Sequence, residues 1–307
     1  MLDILGKRYI FFGISLLLII PGLIVMAIWG LPLAIDFQGG TLVDISFASG
    51  QTPPTADVLA VYEAHGINDA KITTAGEGQL VIRSSFMSDV QRAEIIQAMQ
   101  ERFNDTITVR RADSVGPTIG REVTSRAALA VGAAALAVIL YIWFAFRGIP
   151  NSFRYGVCAI IAMVHDVLVV ISLAAIGGRL FGWQVDSLFL TALLSVIGFS
   201  VQDKVVVFDR IRENSAIYRR LPFETLANHS IVQTLQRSIN TQLMTVEYML
   251  LALALFGGVT LREFAVILLV GLFMGTYSSI FIAAPILVIW ENKEWRTWFG
   301  RKPATAA

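Results

Sequence analysis

The sequence predicts an α-helical polytopic membrane protein with six transmembrane helices, plus a ferredoxin-like α+β extracytoplasmic domain between helices 1 and 2. Three observations predict it. Of 307 residues, 55% are hydrophobic and only 15% charged, and a soluble surface needs more polar cover than that. Apolar runs long enough to cross a bilayer recur along the chain. One stretch, residues 31–125, is by contrast polar and patterned as short strands and helices.

The first span is predicted near residues 10–30, inside the uncharged run Tyr9–Ile35 that follows Lys7-Arg8. A signal peptide shares the basic start and apolar core, but this run is long, carries Trp29 near its far end and lacks a small-x-small cleavage site. The second span, Ala127–Phe146, ends in the aromatic belt Tyr141, Trp143, Phe144 and Phe146. Tyr155–Gly177 and Ser187–Phe208 follow, then Ile231–Phe256, which carries Arg237 and Glu247, and the uncharged Phe264–Trp290. Lys7, Arg8, Arg147, Arg154, Arg210, Arg212, Arg219, Arg220, Lys293, Arg296, Arg301 and Lys302 then share one side, while the opposite short loops carry Arg179 and Arg262. The positive-inside rule therefore predicts cytoplasmic termini and an external 31–125 segment. The expected organisation is 1–30 N-terminus and first span, 31–125 external domain, 126–290 helical bundle, and 291–307 cytoplasmic tail.

Within 31–125, Thr41–Ala48 reads as a strand and Pro54–Ala64 as a helix closed by Gly66. Asp69–Ala75 and Gln79–Ser84 read as strands around the turn Gly76-Glu77-Gly78. Ser88–Phe103 is an amphipathic helix with Ser88 as N-cap and Gln91 in the capping-box position, and Thr106–Ala112 is a last strand. The order β-α-β-β-α-β is the split βαβ arrangement, in which two helices cover one sheet face and leave the other for a partner or polypeptide. His65 reads as a helix-end surface residue, and the domain shows no nucleophile-base pattern or metal-ligand spacing.

Formal net charge is +1, so no bulk basic surface points to nucleic acid. The single Cys158 excludes an internal disulfide and a multi-thiolate metal site and reads as a small core residue.

Ionisable groups at hydrocarbon depth are costly unless they pair, snorkel or face water, which makes them functional suspects. Asp203-Lys204 interrupt an apolar run: burial favours the protonated carboxyl, a neighbouring cation the ionised one, and that competition suits a proton relay. An interfacial Asp203 that only fixes depth is the blander reading. Arg237 is either an anchor that snorkels or, beside Asn240, Thr241, Gln242 and Thr245, a charge partner for Asp203. Glu247 is left as a partner of Lys204, a member of a proton path, or a neutral structural acid. His165-Asp166 lie mid-span about 100° apart on a helix, serving structural pairing or relay support. Gly198, Ser200, Gly271-x-x-x-Gly275 and Ser278-Ser279 permit close helix approach, and Asp209-Arg210-x-Arg212-Glu213 suggests a charged collar just inside the membrane.

Several motifs occur in order: Asp36-Phe37-Gln38-Gly39-Gly40, Val115-Gly116-Pro117, His165-Asp166, Gly198-Phe199-Ser200 with Asp203, and Val205-Val206-Val207-Phe208-Asp209-Arg210-Ile211-Arg212-Glu213-Asn214. Gln233-Thr234-Leu235-x-Arg237 and Gly275-Thr276-Tyr277-Ser278-Ser279-Ile280-Phe281 complete the set. Together, from about residue 7 to 290, they resemble the SecD/SecF family of protein-export components in the resistance-nodulation-division superfamily. The resemblance implies a non-enzymatic subunit of the bacterial inner membrane. It would work with a separate SecD and the SecYEG channel, with YajC or YidC as further partners, to promote late translocation of an unfolded polypeptide. It further implies that Asp203 is a proton-responsive carboxylate with Arg237 as its basic partner, driven by the proton motive force, sodium remaining open as the coupling ion, with no cofactor or metal. Lys204 stands where the family usually has a small hydroxyl residue, Gln202 where asparagine is common, and Gln242, Met244 and Glu247 in a stretch usually made of Ser, Thr and aliphatic residues. A lysine beside Asp203 should favour its ionised form.

Three other functions compete. They are a scaffold whose buried charges serve assembly, a small-molecule efflux half-transporter, and a membrane hydrolase built on Ser200, His165 and Asp203. The last lacks a nucleophile elbow or oxyanion motif, and no nucleotide-binding loop is present.

Overall fold

This computed structural model describes residues 3–147, 151–256 and 258–295. The predicted tail residues Arg296, Arg301 and Lys302 lie outside the described residues, as do the side chains of Met244 and Thr245. The chain divides into a helical unit (1–31, 131–183 and 188–307) and a smaller unit (32–130 and 184–187).

The smaller unit follows the predicted order, with β1 (Gly40–Phe47), α3 (Thr55–Ala64), β2 (Lys71–Gly76), β3 (Gln79–Ser84), α4 (Asp89–Phe103) and β4 (Ile107–Val115), preceded by the short α2 (Ile35–Gln38). The four strands lie in the order β2-β3-β1-β4 with every neighbouring pair antiparallel. Alternation places Val43, Ile45 and Phe47 of β1 and Leu80 and Ile82 of β3 on one face. There they pack with Val58 and Tyr62 of α3 and with Ile95 and Met99 of α4. The capping box at α4 forms as predicted: Ser88 Oγ accepts from the Gln91 amide at 3.3 Å and Gln91 Oε1 accepts from the Ser88 amide at 3.1 Å. His65 ends α3, its Nδ1 2.8 Å from the Val61 carbonyl.

The start of this unit explains the Asp-Phe-x-Gly-Gly motif. Gly39 (φ +77°) and Gly40 (φ +133°) occupy backbone conformations that disfavour side chains, and a Cβ on Gly40 would stand 2.6 Å from the Ser84 carbonyl. Gly120 packs against the same turn, where a Cβ would come within 2.7 Å of the Gly39 amide, and Thr124 Oγ1 donates to the Phe37 carbonyl at 3.0 Å. Asp36 Oδ2 accepts from the amide and hydroxyl of Ser187 at 3.0 and 2.6 Å, so a carboxylate from a distant segment caps the helix that begins there. Pro117 begins the next helix beside Gly39, while a Cβ at Gly116 would meet nothing within 4 Å.

Among the described residues, five helical stretches are long and apolar enough to cross a membrane: Leu5–Trp29, Pro117–Phe146, Ser152–Phe181, Ser187–Ile217 and Leu261–Glu291. They contain α1 (Arg8–Trp29), α5 (Pro117–Phe146), α6 (Ser152–Phe181), α7 (Ser187–Ile217) and, at the end, α10 (Gly258–Ser278) with α11 (Ala284–Glu291). The stretch predicted as the fifth of six spans is not among these five. It is helical throughout as α8 (Phe223–Ile239), a π-helical turn (Asn240–Glu247) and α9 (Tyr248–Phe256), and Arg237, Asn240, Thr241, Gln242 and Glu247 make it more polar than the others. A second π-helical turn, Ser279–Ala283, joins α10 to α11. Both were invisible in apolar periodicity.

Inside the helical unit, α6 and α7 carry much of the packing. About half of their apolar windows is buried, 56% and 50%, against 17% for α1 and 11% for α5. The outward faces of α1 and α5 present Leu17, Ile24, Leu136 and Trp143, the expected exposure for side chains that meet lipid. Small residues bring helices together. A Cβ on Gly22 would lie 2.2 Å from Ser172 Cβ, one on Gly271 2.3 Å from Val196 Cγ2, and one on Gly275 3.3 Å from Ser200 Cα. The Gly271-x-x-x-Gly275 expectation therefore holds, whereas Gly198 faces open space. Cys158 is a free thiol in the core, as expected.

Candidate functional site

Three carboxylates lie buried among the described residues of the helical unit, Asp166, Asp203 and Glu247, and the first two have opposite surroundings. Asp166, on α6, is 1% exposed and saturated. Its Oδ2 accepts from Lys204 Nζ at 2.8 Å, Ser200 Oγ at 2.6 Å and Ser278 Oγ at 2.7 Å, and its Oδ1 lies 2.9 Å from His165 Nδ1. Lys204 is 0% exposed and spends its remaining donors on the carbonyl and hydroxyl of Ser200, one turn back on α7. This is a buried ion pair of the kind that costs little only when every donor and acceptor is met.

Asp203, 8% exposed, has only hydroxyl donors among the described residues: Ser238 Oγ at 2.7 Å and Ser279 Oγ. It opens onto a cavity of about 170 Å³ whose lining includes Gln202, Arg237, Thr241 and Gln242. Arg237 is exposed at the rim, and among the ion pairs of the described residues none joins it to Asp203. The two π-helical turns bracket this carboxylate: Ser279 begins one, and Thr241 and Gln242 belong to the other. Such turns are rare and concentrate at functional positions, because they widen the helix and release backbone groups.

Helix geometry explains the separation. Consecutive residues differ by about 100°, so Asp203 and Lys204 address different neighbours although they adjoin in sequence. The same offset at Ser278-Ser279 sends one hydroxyl to Asp166 and the next to Asp203. The expectation that Lys204 would hold Asp203 ionised is therefore corrected, because that ammonium belongs to Asp166. Glu247 does not pair with Lys204 either; it is 9% exposed, and its Oε1 is buried without a hydrogen-bond partner among the described residues. His165 and Asp166 meet directly, Nδ1 2.9 Å from Oδ1, in keeping with the structural-pairing reading. The imidazole of His165 leaves Nε2 buried beside the Tyr277 ring, with no hydrogen-bond partner among the described residues.

Ser200, His165 and Asp203 do not form a nucleophilic triad. Ser200 donates to Asp166, while Asp203 is held by Ser238 and Ser279. At the end of α7, the charged collar forms as i,i+3 pairs, Asp209–Arg212 at 2.6 Å and Arg210–Glu213 at 2.8 Å. Arg210 and Asn214 also donate to Gln233 of α8 at 2.7 and 3.0 Å, and Asn214 to Ser230 at 2.8 Å. These bonds give the conspicuous Asp-Arg-x-Arg-Glu-Asn block a structural task, fastening α7 to α8. Sequence reasoning missed Ser238 as a ligand and the cluster in which Arg8 bridges Glu224 at 2.6 Å and Glu294 at 2.8 Å. The available signal for the hydroxyl ligands was the match of one consecutive pair, Asp203-Lys204, with another, Ser278-Ser279.

Comparison with known proteins agrees with the motif resemblance. The family described as "Protein export membrane protein SecD/SecF, C-terminal" matches residues 95–293. The chain is 75% identical over 308 residues to a protein translocase subunit SecF of Anaerolinea thermophila, covering 100% of both chains. It is 44% identical over 319 residues to that of Thermobaculum terrenum, covering 100% of this chain and 99% of the relative. Among solved structures, SecDF of Thermus thermophilus, a translocon-associated membrane protein, superposes with a TM-score of 0.82 at 32% identity, over 95% of this chain and 39% of that longer one. SecDF in its super-membrane-facing form gives a TM-score of 0.68 at 30% identity, over 97% of this chain and 40% of that one. A membrane chain matched end to end by SecF subunits, and fitting about two fifths of SecDF, belongs to the SecD/SecF protein-export family.

Proposed function

We propose that the chain is the SecF-type half of a SecD–SecF assembly that uses proton movement to promote late polypeptide export through the SecYEG channel, in the bacterial inner membrane. The observation that carries this reading is the contrast between the two carboxylates. Asp166 is neutralised by a lysine, whereas Asp203 has only hydroxyl partners among the described residues and faces a cavity lined by Gln202, Thr241 and Gln242 as well as Phe199 and Val206, with Arg237 at its rim. A carboxyl so placed can gain and lose a proton without first breaking an ion pair. Ser238 and Ser279 would then exchange the roles of donor and acceptor, and α8 and the α10–α11 turn would feel the change. Arg237 would act as the counter-charge across the cavity.

In this reading the polar stretch α8–α9 is a sixth span, tolerated because its charged face lines the cavity or meets SecD. The four-stranded unit is a ferredoxin-like domain outside the membrane, both termini are cytoplasmic, and the domain helps SecD engage the emerging polypeptide. YajC or YidC are accessory partners. The protein itself catalyses no covalent chemistry and needs no cofactor.

The test is Asp203→Asn in the full complex, with complex recovery and proton-gradient-dependent export measured side by side. Intact assembly with lost stimulation by the gradient is the expected result. Undiminished stimulation would sink the assignment, and loss of assembly together with export would favour a scaffold role.

A further inference from the structure

Lys204 Nζ is enclosed by oxygens of the kinds that also coordinate a hard monovalent cation. The ammonium has three N–H donors, and three oxygens take them: Asp166 Oδ2 at 2.8 Å, the Ser200 carbonyl at 3.2 Å and Ser200 Oγ. A fourth oxygen, Ser278 Oγ, adjoins at 2.7 Å from the same carboxylate oxygen. Carboxylate, carbonyl and hydroxyl oxygens gathered around one buried positive charge are the ligand types that replace the hydration shell of a hard monovalent cation. The Lys204 side chain is 0% exposed, and that of Asp166 is 1% exposed. Three helices, α6, α7 and α10, supply the cage, so it survives as a shape if the amine is removed.

We propose that this oxygen cage is a monovalent-cation site permanently filled by the chain's own lysine, and that removing the amine opens it to Na⁺. The tethered ammonium supplies the charge that Asp166 requires without drawing on an ion from solution. The wild-type fold is accordingly indifferent to Na⁺, and the packing of α6, α7 and α10 does not vary with the cation present. This inference rests on the contacts of Lys204 and stands apart from the role proposed for Asp203.

The experiment compares full-length wild type and Lys204→Ala in detergent, by thermal unfolding in NaCl and in choline chloride at equal ionic strength. Wild type is expected to unfold at the same temperature in both. Lys204→Ala is expected to gain a saturable rise in NaCl, on the order of 5 °C at a concentration about 100 times the dissociation constant. Adding Ser278→Ala to that variant should raise the half-saturating Na⁺ concentration about tenfold. The double variant Asp166→Asn/Lys204→Met lacks the cage charge and should show no Na⁺ response. Equal unfolding temperatures for Lys204→Ala in the two salts overturn the proposal. So do a matching Na⁺ response in wild type or the double variant, and failure of Lys204→Ala to fold in NaCl. Recovery of folded Lys204→Ala in NaCl alone supports it.

Discussion

Asp166→Asn and Asp203→Asn are chemically identical changes, on side chains 1% and 8% exposed, yet their stability costs should differ several-fold. Asp166→Asn removes the negative charge from a carboxylate bonded to Lys204 at 2.8 Å, and the lysine has no route to water at 0% exposure. Breaking a buried pair by deleting one charge costs about 3–5 kcal/mol, most of it the stranded partner. For a chain of 307 residues that corresponds to a fall in Tm of roughly 5–8 °C. Asp203→Asn strands no charge. Ser238 and Ser279 can still donate to the amide oxygen, so the cost is about one hydrogen bond rearranged, ~1 kcal/mol. Removing both charges with Asp166→Asn/Lys204→Met should restore most of the loss, because an apolar replacement of a buried pair is often near neutral. Thermal or denaturant unfolding of the four proteins in one detergent makes the comparison. Equal losses for the two single variants, or a double variant no better than Asp166→Asn, would refute the assignment of Lys204 to Asp166.

Glycine positions give a second contrast. Gly271→Val should cost about 1–3 kcal/mol or more through overpacking against Val196 and Val170. Gly198→Ala, with nothing within 4 Å of its Cβ, should leave stability unchanged or raise it by up to ~1 kcal/mol, both read by unfolding midpoint. Asp36→Ala should cost about 0.5–2 kcal/mol by removing the cap at Ser187, and hydrogen exchange should rise at the first turn of α7. In the smaller unit, the hydrogen bond from the Ser49 hydroxyl holds the Asp105 carboxyl below the usual carboxylate range. That contribution is present above the unfolded-state value of about 3.9 and is lost as pH falls through the depressed folded-state value. Ser49→Ala should return the Asp105 titration, followed by NMR, towards about 3.9 and reduce this acid-sensitive contribution. An unchanged titration would separate Ser49 from it.

Composition, apolar run length and strand alternation were sufficient to identify a membrane chain, to delimit its polar unit, and to place β3 at Gln79–Ser84 and the capping box at Ser88 and Gln91. These features are local, set by neighbours within a turn or a strand, so a linear reading reaches them. The identity of the buried acids was legible for the same reason: a charge inside an apolar run stands out wherever it points. Their partners were not legible. Whether Lys204 serves Asp203 one residue away or Asp166 38 residues away depends on how α7 is rotated against α6, α8 and α10, and sequence adjacency on a helix separates side chains by about 100°. The π-helical turns at Asn240–Glu247 and Ser279–Ala283 likewise answer to packing between helices, since hydrogen-bond register within a helix leaves little trace in residue type. Tertiary structure alone therefore decided which carboxylate is neutralised and which faces the cavity, because that choice is made by helix rotation across α6, α7, α8 and α10 and not by any single segment.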